Sequence, residues 1–130
     1  MKFSSSIELL FTEYPFLERI KASKEHGFNG IEFWNWEEKN IEDIEEECSK
    51  NDLKVVTFVG NVKGQMVNPD DNEIFVLGVR KSIEVAQNLD CKSLILTTNT
   101  LAEDRSVTAL PRKISDYEKK ENTIRGPFGT

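Results

Sequence analysis

Short apolar runs alternate with stretches of helical periodicity along this chain, and that order leaves few folds open. Gly30–Trp34, Leu53–Val59 and Lys92–Thr98 are short and rich in β-branched or aromatic residues, the pattern of strands. Apolar residues at helical spacing lie between and beyond them. Phe16, Leu17 and Ile20 after Pro15 predict a helix over 14–26. Ile41, Ile44 and Cys48 predict one starting behind Asn40, and Val76, Val79, Ile83 and Ala86 one over 72–89. Ile114, Tyr117 and Ile124 predict a fourth over 113–124. An opening strand at Lys2–Ser6 rests on this order rather than on propensity, because consecutive serines are poor strand formers. Strand then helix four times over implies a parallel sheet with right-handed crossovers.

Local signals mark the boundaries. Gly27 can close the first helix in the left-handed conformation, with Phe28 packing back on the last turn. Asn40 can cap the second, with Asp43 three residues on, and any of Asp70, Asp71 and Asn72 can cap the third. Leu53–Val59 is apolar on both faces after Lys54, as expected of a strand covered on both sides. The ending Arg125-Gly126-Pro127-Phe128-Gly129-Thr130 carries neither pattern, so 1–124 reads as the folded unit and 125–130 as a disordered or non-native tail.

At 130 residues such a chain can bury about two thirds of the surface its unfolded form exposes, enough for one core. A net charge of −6 argues against a nucleic-acid partner, which needs a basic face. Arg112, Lys113, Lys119 and Lys120 are interleaved with acids and read as a solvated helix face. No run approaches the roughly 20 apolar residues of a membrane span, and the first residues lack a secretion signal, so a cytoplasmic protein without membrane partners is expected. Cys48 and Cys91 read as buried thiols. His26, the one histidine, lies in the last turn of the first helix, away from strand ends, and reads as structural.

The stretch Ile7-Glu8-Leu9-Leu10-Phe11-Thr12-Glu13-Tyr14-Pro15-Phe16-Leu17-Glu18-Arg19, followed by Gly27-Phe28-Asn29-Gly30-Ile31-Glu32-Phe33, resembles the start of hydroxypyruvate isomerases. The second segment is found across the wider xylose isomerase-like barrels. The resemblance implies an α/β fold in which this chain forms a (β/α)4 parallel half-barrel, the first half of a TIM barrel that takes ~250 residues when complete. It further implies an aldose-ketose type isomerase or epimerase acting on a small carbohydrate-like hydroxy-carbonyl compound, with a divalent magnesium or manganese ion. The metal ligands and catalytic glutamates of the family lie in the second half, so no catalytic or metal-binding residue is assigned here. The loop Phe58-Val59-Gly60-Asn61-Val62-Lys63-Gly64 departs from the hydroxypyruvate isomerase pattern and leaves the substrate open.

Barrel active sites lie at the C-terminal ends of the strands. The candidate substrate-binding residues are therefore Ser6 and Glu8 after strand one, Trp34 and Asn35 after strand two, Asn61 after strand three, and Thr97, Thr98 and Asn99 after strand four. Each has an ordinary loop role as its alternative. Glu32 joins them because period-two alternation sends Ile31 and Phe33 toward the helices and Glu32 toward the interior. There it either anchors the interior, paired with Lys2 or Lys54, or contacts substrate. Trp34 and Trp36 either cover the mouth or stack on a sugar. Two functional readings stand: part of a sugar isomerase that is inactive alone, or a catalytically silent half-barrel acting through self-assembly or partner binding. Open edges at strands one and four favour a homodimer or higher oligomer.

Overall fold

The computed structural model describes residues 1–98. The elements run β1 (Ser4–Ser6), α1 (Phe16–Glu25), β2 (Gly30–Asn35), α2 (Ile41–Lys50), β3 (Lys54–Val59), a 3-10 turn (Pro69–Asp71), α3 (Asn72–Asn88) and β4 (Leu94–Ile95). All four strands are parallel, in the order β1-β2-β3-β4. This is the α/β architecture of alternating strands and helices that the sequence predicts. The predicted helix over 113–124 and the tail at 125–130 lie outside the described residues.

The serine-rich β1 holds because the hydroxyls of Ser4 and Ser5 each have a use. Ser5 is 1% exposed and pairs with the Ser23 hydroxyl on α1 at 2.8 Å, while Ser23 donates to the Arg19 carbonyl. Ser4, on the other face, donates to the Glu32 carboxylate at 2.9 Å. The strand is shorter than the expected Lys2–Ser6 because the Asn29 side chain takes the Phe3 N–H. Arg19 donates to the carbonyls of Ile7 and Tyr14, which ties the loop after β1 onto α1.

Gly27, before β2, and Gly30, its first residue, answer to different constraints. Gly27 has φ +87°, the left-handed region that closes a helix, and the Phe28 N–H returns to the Ser23 carbonyl. At Gly30 space decides: a Cβ there would lie 2.6 Å from Val56 Cγ2 and 2.9 Å from the Lys54 carbonyl oxygen. Asn40 caps α2 as predicted, accepting the Asp43 N–H at 3.3 Å.

Ile7, Ile20, Ile31, Phe33, Ile44, Val55, Phe58, Ala86 and Leu89 are buried in one cluster between sheet and helices. Phe33 stacks on Phe58 with centroids 5.1 Å apart, and Phe16 meets Phe33 edge-on. The opposite face of the sheet is open among the described residues: Trp34 is 50%, Val56 43% and Ile95 46% exposed. Among the described residues β3 is covered on its helix face, while Val56 on the other face is exposed and does not meet the expectation of cover on both sides.

Three further expectations are corrected. The buried stripe of α3 is Phe75, Gly78, Ser82 and Ala86, not Val76, Val79, Ile83 and Ala86. Gly78 lets the helix approach Val62, and Ser82 donates to the Gly60 carbonyl while accepting the Trp36 indole N–H at 2.7 Å. Those small contacts rotate the helix by about one residue. At its start Asp71 makes no capping bond; its carboxylate accepts the Gln65 N–H, and Asn68 caps the preceding 3-10 turn. β4 is two residues long rather than Lys92–Thr98, because side chains replace the ladder at both ends. Ser93 Oγ donates to the Val56 carbonyl below it, and Asn61 engages Thr97 above it.

Candidate functional site

The strand ends gather the predicted residues into two groups. Glu8, just past β1, accepts the backbone N–H of Trp34 on Oε1 at 3.0 Å and pairs with Lys39 through the same oxygen at 2.6 Å. Both side chains are largely buried, Lys39 12% and Glu8 17% exposed. Lys39 also donates to the Asn35 carbonyl at 2.8 Å and lies 4.9 Å from the Phe16 ring centroid and 5.7 Å from that of Phe33. Asn35 turns the chain out of β2 by accepting the Glu37 N–H on its side chain. One carboxylate and one ammonium thereby fasten the loops that follow β1 and β2.

The second group joins β3 to β4. Asn61 accepts the Thr97 N–H at 2.8 Å and donates back to the Thr97 carbonyl and hydroxyl. This amide copies a backbone pairing, which leaves less of it for a ligand. Thr98 is exposed, and Asn99 lies outside the described residues.

On the open face Ser6, Glu32 and Thr57 stand in register across β1, β2 and β3. Glu32 faces away from the helices as expected, yet its partner is the Ser4 hydroxyl rather than Lys2 or Lys54. Lys54 stands opposite Gly30, at the far end of the strand from the pocket rim, and is exposed. Thr57 buries a hydroxyl for which the described residues supply no partner. Of the two tryptophans, Trp36 is committed to packing through Ser82, whereas half of Trp34 remains exposed.

Lys39 and Thr57 were invisible to sequence reasoning. A lysine in Trp36-Glu37-Glu38-Lys39 reads as one more solvated charge, and only the tertiary approach of Glu8 from 31 residues earlier removes it from water.

His26 stands at the C-terminus of α1, with Nδ1 2.8 Å from the Ala22 carbonyl and its ring on Phe11. Cys48 and Cys91 are buried free thiols. Burial, helped by the Glu47 carboxylate, pushes the Cys48 thiol up to about 12, and burial likewise raises Cys91. Both stay protonated near neutral pH, the unreactive form. Among the described residues no three His, Cys, Asp or Glu side chains gather as a metal-binding group. No helix among them is long and apolar enough to cross a membrane.

No family model matches the sequence. The chain is 31% identical over 113 residues to the 2-oxo-tetronate isomerase of Pectobacterium atrosepticum, covering 80% of this chain and 43% of that protein. It is 28% identical over 101 residues to the hydroxypyruvate isomerase of Escherichia coli, covering 72% and 39%. A family 2 AP endonuclease structure from Brucella melitensis superposes with TM-score 0.84 at 23% identity, over 98% of this chain and 52% of that one. The chain is homologous to these two isomerases over most of its own length. Its four parallel strands and their helices match half of a TIM barrel. The chain spans about two fifths of the length of the curated relatives it matches.

Proposed function

We propose that this chain supplies one wall of the pocket of a cytoplasmic isomerase or epimerase acting on a small hydroxy-carbonyl compound, and that the 130 residues alone do not turn it over. The observation that carries this reading is half-exposed Trp34, its N–H held by Glu8 at the strand ends, in a chain homologous to two isomerases. In this reading the exposed Trp34 ring covers the C–H face of the substrate. Ser6, Glu8 and Glu32 meet its hydroxyls from the β1 and β2 side, and Asn35, Asn61, Thr97, Thr98 and Asn99 line the rest of the wall. The family resemblance implies a divalent magnesium or manganese ion, and among the described residues no three His, Cys, Asp or Glu side chains gather as a group that could hold one.

Two-dimensional NMR of the 130-residue protein with millimolar hydroxypyruvate or 2-oxo-tetronate tests this. Shifts concentrated at Ser6, Glu8, Trp34 and Thr97, without isomer formation in the presence of magnesium or manganese, are expected. Shifts confined to the helix layer, or metal-dependent turnover by the pure chain, would refute it.

The open sheet face favours a second reading, in which copies of the chain pair through Trp34, Val56 and Ile95. Light scattering at micromolar concentration should then give a homodimer or higher oligomer, and Val56→Lys should dissociate it. A folded monomer at all concentrations would dismiss self-assembly.

A further inference from the structure

We propose that Lys39 is a positioning residue of this pocket wall, holding Glu8 so that Glu8 in turn sets Trp34 for ligand contact; the proposal rests on the pocket-wall reading. Lys39 Nζ is fixed from several directions, by Glu8 Oε1 at 2.6 Å, the Asn35 carbonyl at 2.8 Å, and the rings of Phe16 and Phe33. Glu8 Oε1 also accepts the Trp34 N–H, so one oxygen links the cation to the backbone of the exposed tryptophan. Both donors fall on Oε1, which leaves Oε2 as the oxygen to which a ligand hydroxyl can donate.

Stability alone gives a weak reason for a charged pair here. Apolar residues of similar volume commonly replace a buried ion pair with no loss, because desolvation offsets the attraction. The pair instead accomplishes something an apolar contact cannot. It fastens two separate loops through directional bonds, at the strand ends, around an aromatic ring that stays half exposed. Trp36, two residues on, has a different side-chain anchor: its indole donates to Ser82 on α3, and Lys39 reaches it only through a backbone bond from the Lys39 N–H to the Trp36 carbonyl.

That difference gives the test. The protein has two tryptophans, so fluorotryptophan labelling yields two fluorine resonances, assigned with Trp34→Phe. In ligand-free protein Lys39→Met should shift or broaden the Trp34 line and leave the Trp36 line in place, and Lys39→Arg should restore Trp34. Glu8→Gln, which keeps the shape and removes the charge, should reproduce the Lys39→Met effect and covers the case in which that variant does not fold. Millimolar hydroxypyruvate or 2-oxo-tetronate should move the Trp34 line in wild type and Lys39→Arg, with the response lost in Lys39→Met. An unmoved Trp34 line in both Lys39→Met and Glu8→Gln overturns the proposal. So does an equal shift of both lines that Lys39→Arg fails to reverse, since that marks a general packing role. A wild-type Trp34 line that answers neither compound overturns the pocket-wall reading and the ligand role of Lys39 with it, while the ligand-free spectra separately decide whether Lys39 sets Trp34.

Discussion

Phe33→Ala should remove about 3–5 kcal/mol of stability, toward the upper end of that range for a buried aromatic. Phe33 is 1% exposed and sits in the middle of the sheet, stacked on Phe58 with an interplanar angle of 3° and met edge-on by Phe16. Truncation leaves a void bounded by two aromatic rings and by strand backbone, and none of these can collapse into it easily. It also removes one of the two rings beneath the Lys39 ammonium. Against a total stability of about 5–15 kcal/mol for an ordinary domain, a loss of this size displaces the urea midpoint far enough to be read directly. The neighbouring residue supplies the control. Trp34 lies on the opposite face of the same strand, half exposed, so Trp34→Ala should cost less than about 1 kcal/mol. Equal losses at the two positions would mean that β2 does not face the helices through Phe33.

The contrast between these neighbours was legible in the sequence, because a strand alternates and Gly30-Ile31-Glu32-Phe33-Trp34 is short enough to fix the alternation. Punctuation was legible too: Gly27 closes α1 with a positive φ, and Asn40 caps α2. What failed were inferences that equate burial with apolar character. Helix α3 buries Gly78 and Ser82 and leaves Val79 and Ile83 only partly covered, since close approach at Gly78 and the Ser82 hydrogen bonds decide which face turns inward. Counting large side chains cannot see a helix whose contact is made by its small ones. Strand β4 failed for a related reason: Ser93 and Asn61 take over the ladder with their side chains, so backbone pairing stops after Ile95.

The site divides the same way. Positions at strand ends follow from topology, and the chain places Ser6, Glu8, Trp34, Asn61 and Thr97 there. Partners do not follow from topology. The Ser4 hydroxyl on Glu32, the Thr97 backbone on Asn61 and Lys39 on Glu8 are long-range pairings that one sequence cannot rank against the other donors nearby. The Lys39 pairing matters most, because it converts Glu8 from a solvated loop acid into a largely buried anion with a fixed oxygen.

Lys39→Met should accordingly cost about 3 kcal/mol, the second large effect, even though both residues sit in loops. The loss is not the worth of the pair. It is the cost of leaving the Glu8 carboxylate 17% exposed beside the aromatic cluster without its cation, together with two cation–aromatic contacts of roughly 0.5–1 kcal/mol each. If that account holds, removing both charges is gentler than removing one. Glu8→Met with Lys39→Met should recover most of the stability, although the Trp34 N–H then loses its acceptor and about 1 kcal/mol remains missing. Salt gives an independent check. A pair this buried is poorly screened, so the Lys39→Met deficit should persist in urea titrations at high ionic strength. The exposed pairs of Lys50 with Glu46 and Glu47 on α2 provide the comparison, and Lys50→Met should leave the midpoint unchanged within error at any salt. A Lys39→Met loss that disappears in high salt, or a double variant no more stable than the single one, would show that Lys39 acts as a surface charge and that the strand-end loops are held by other contacts.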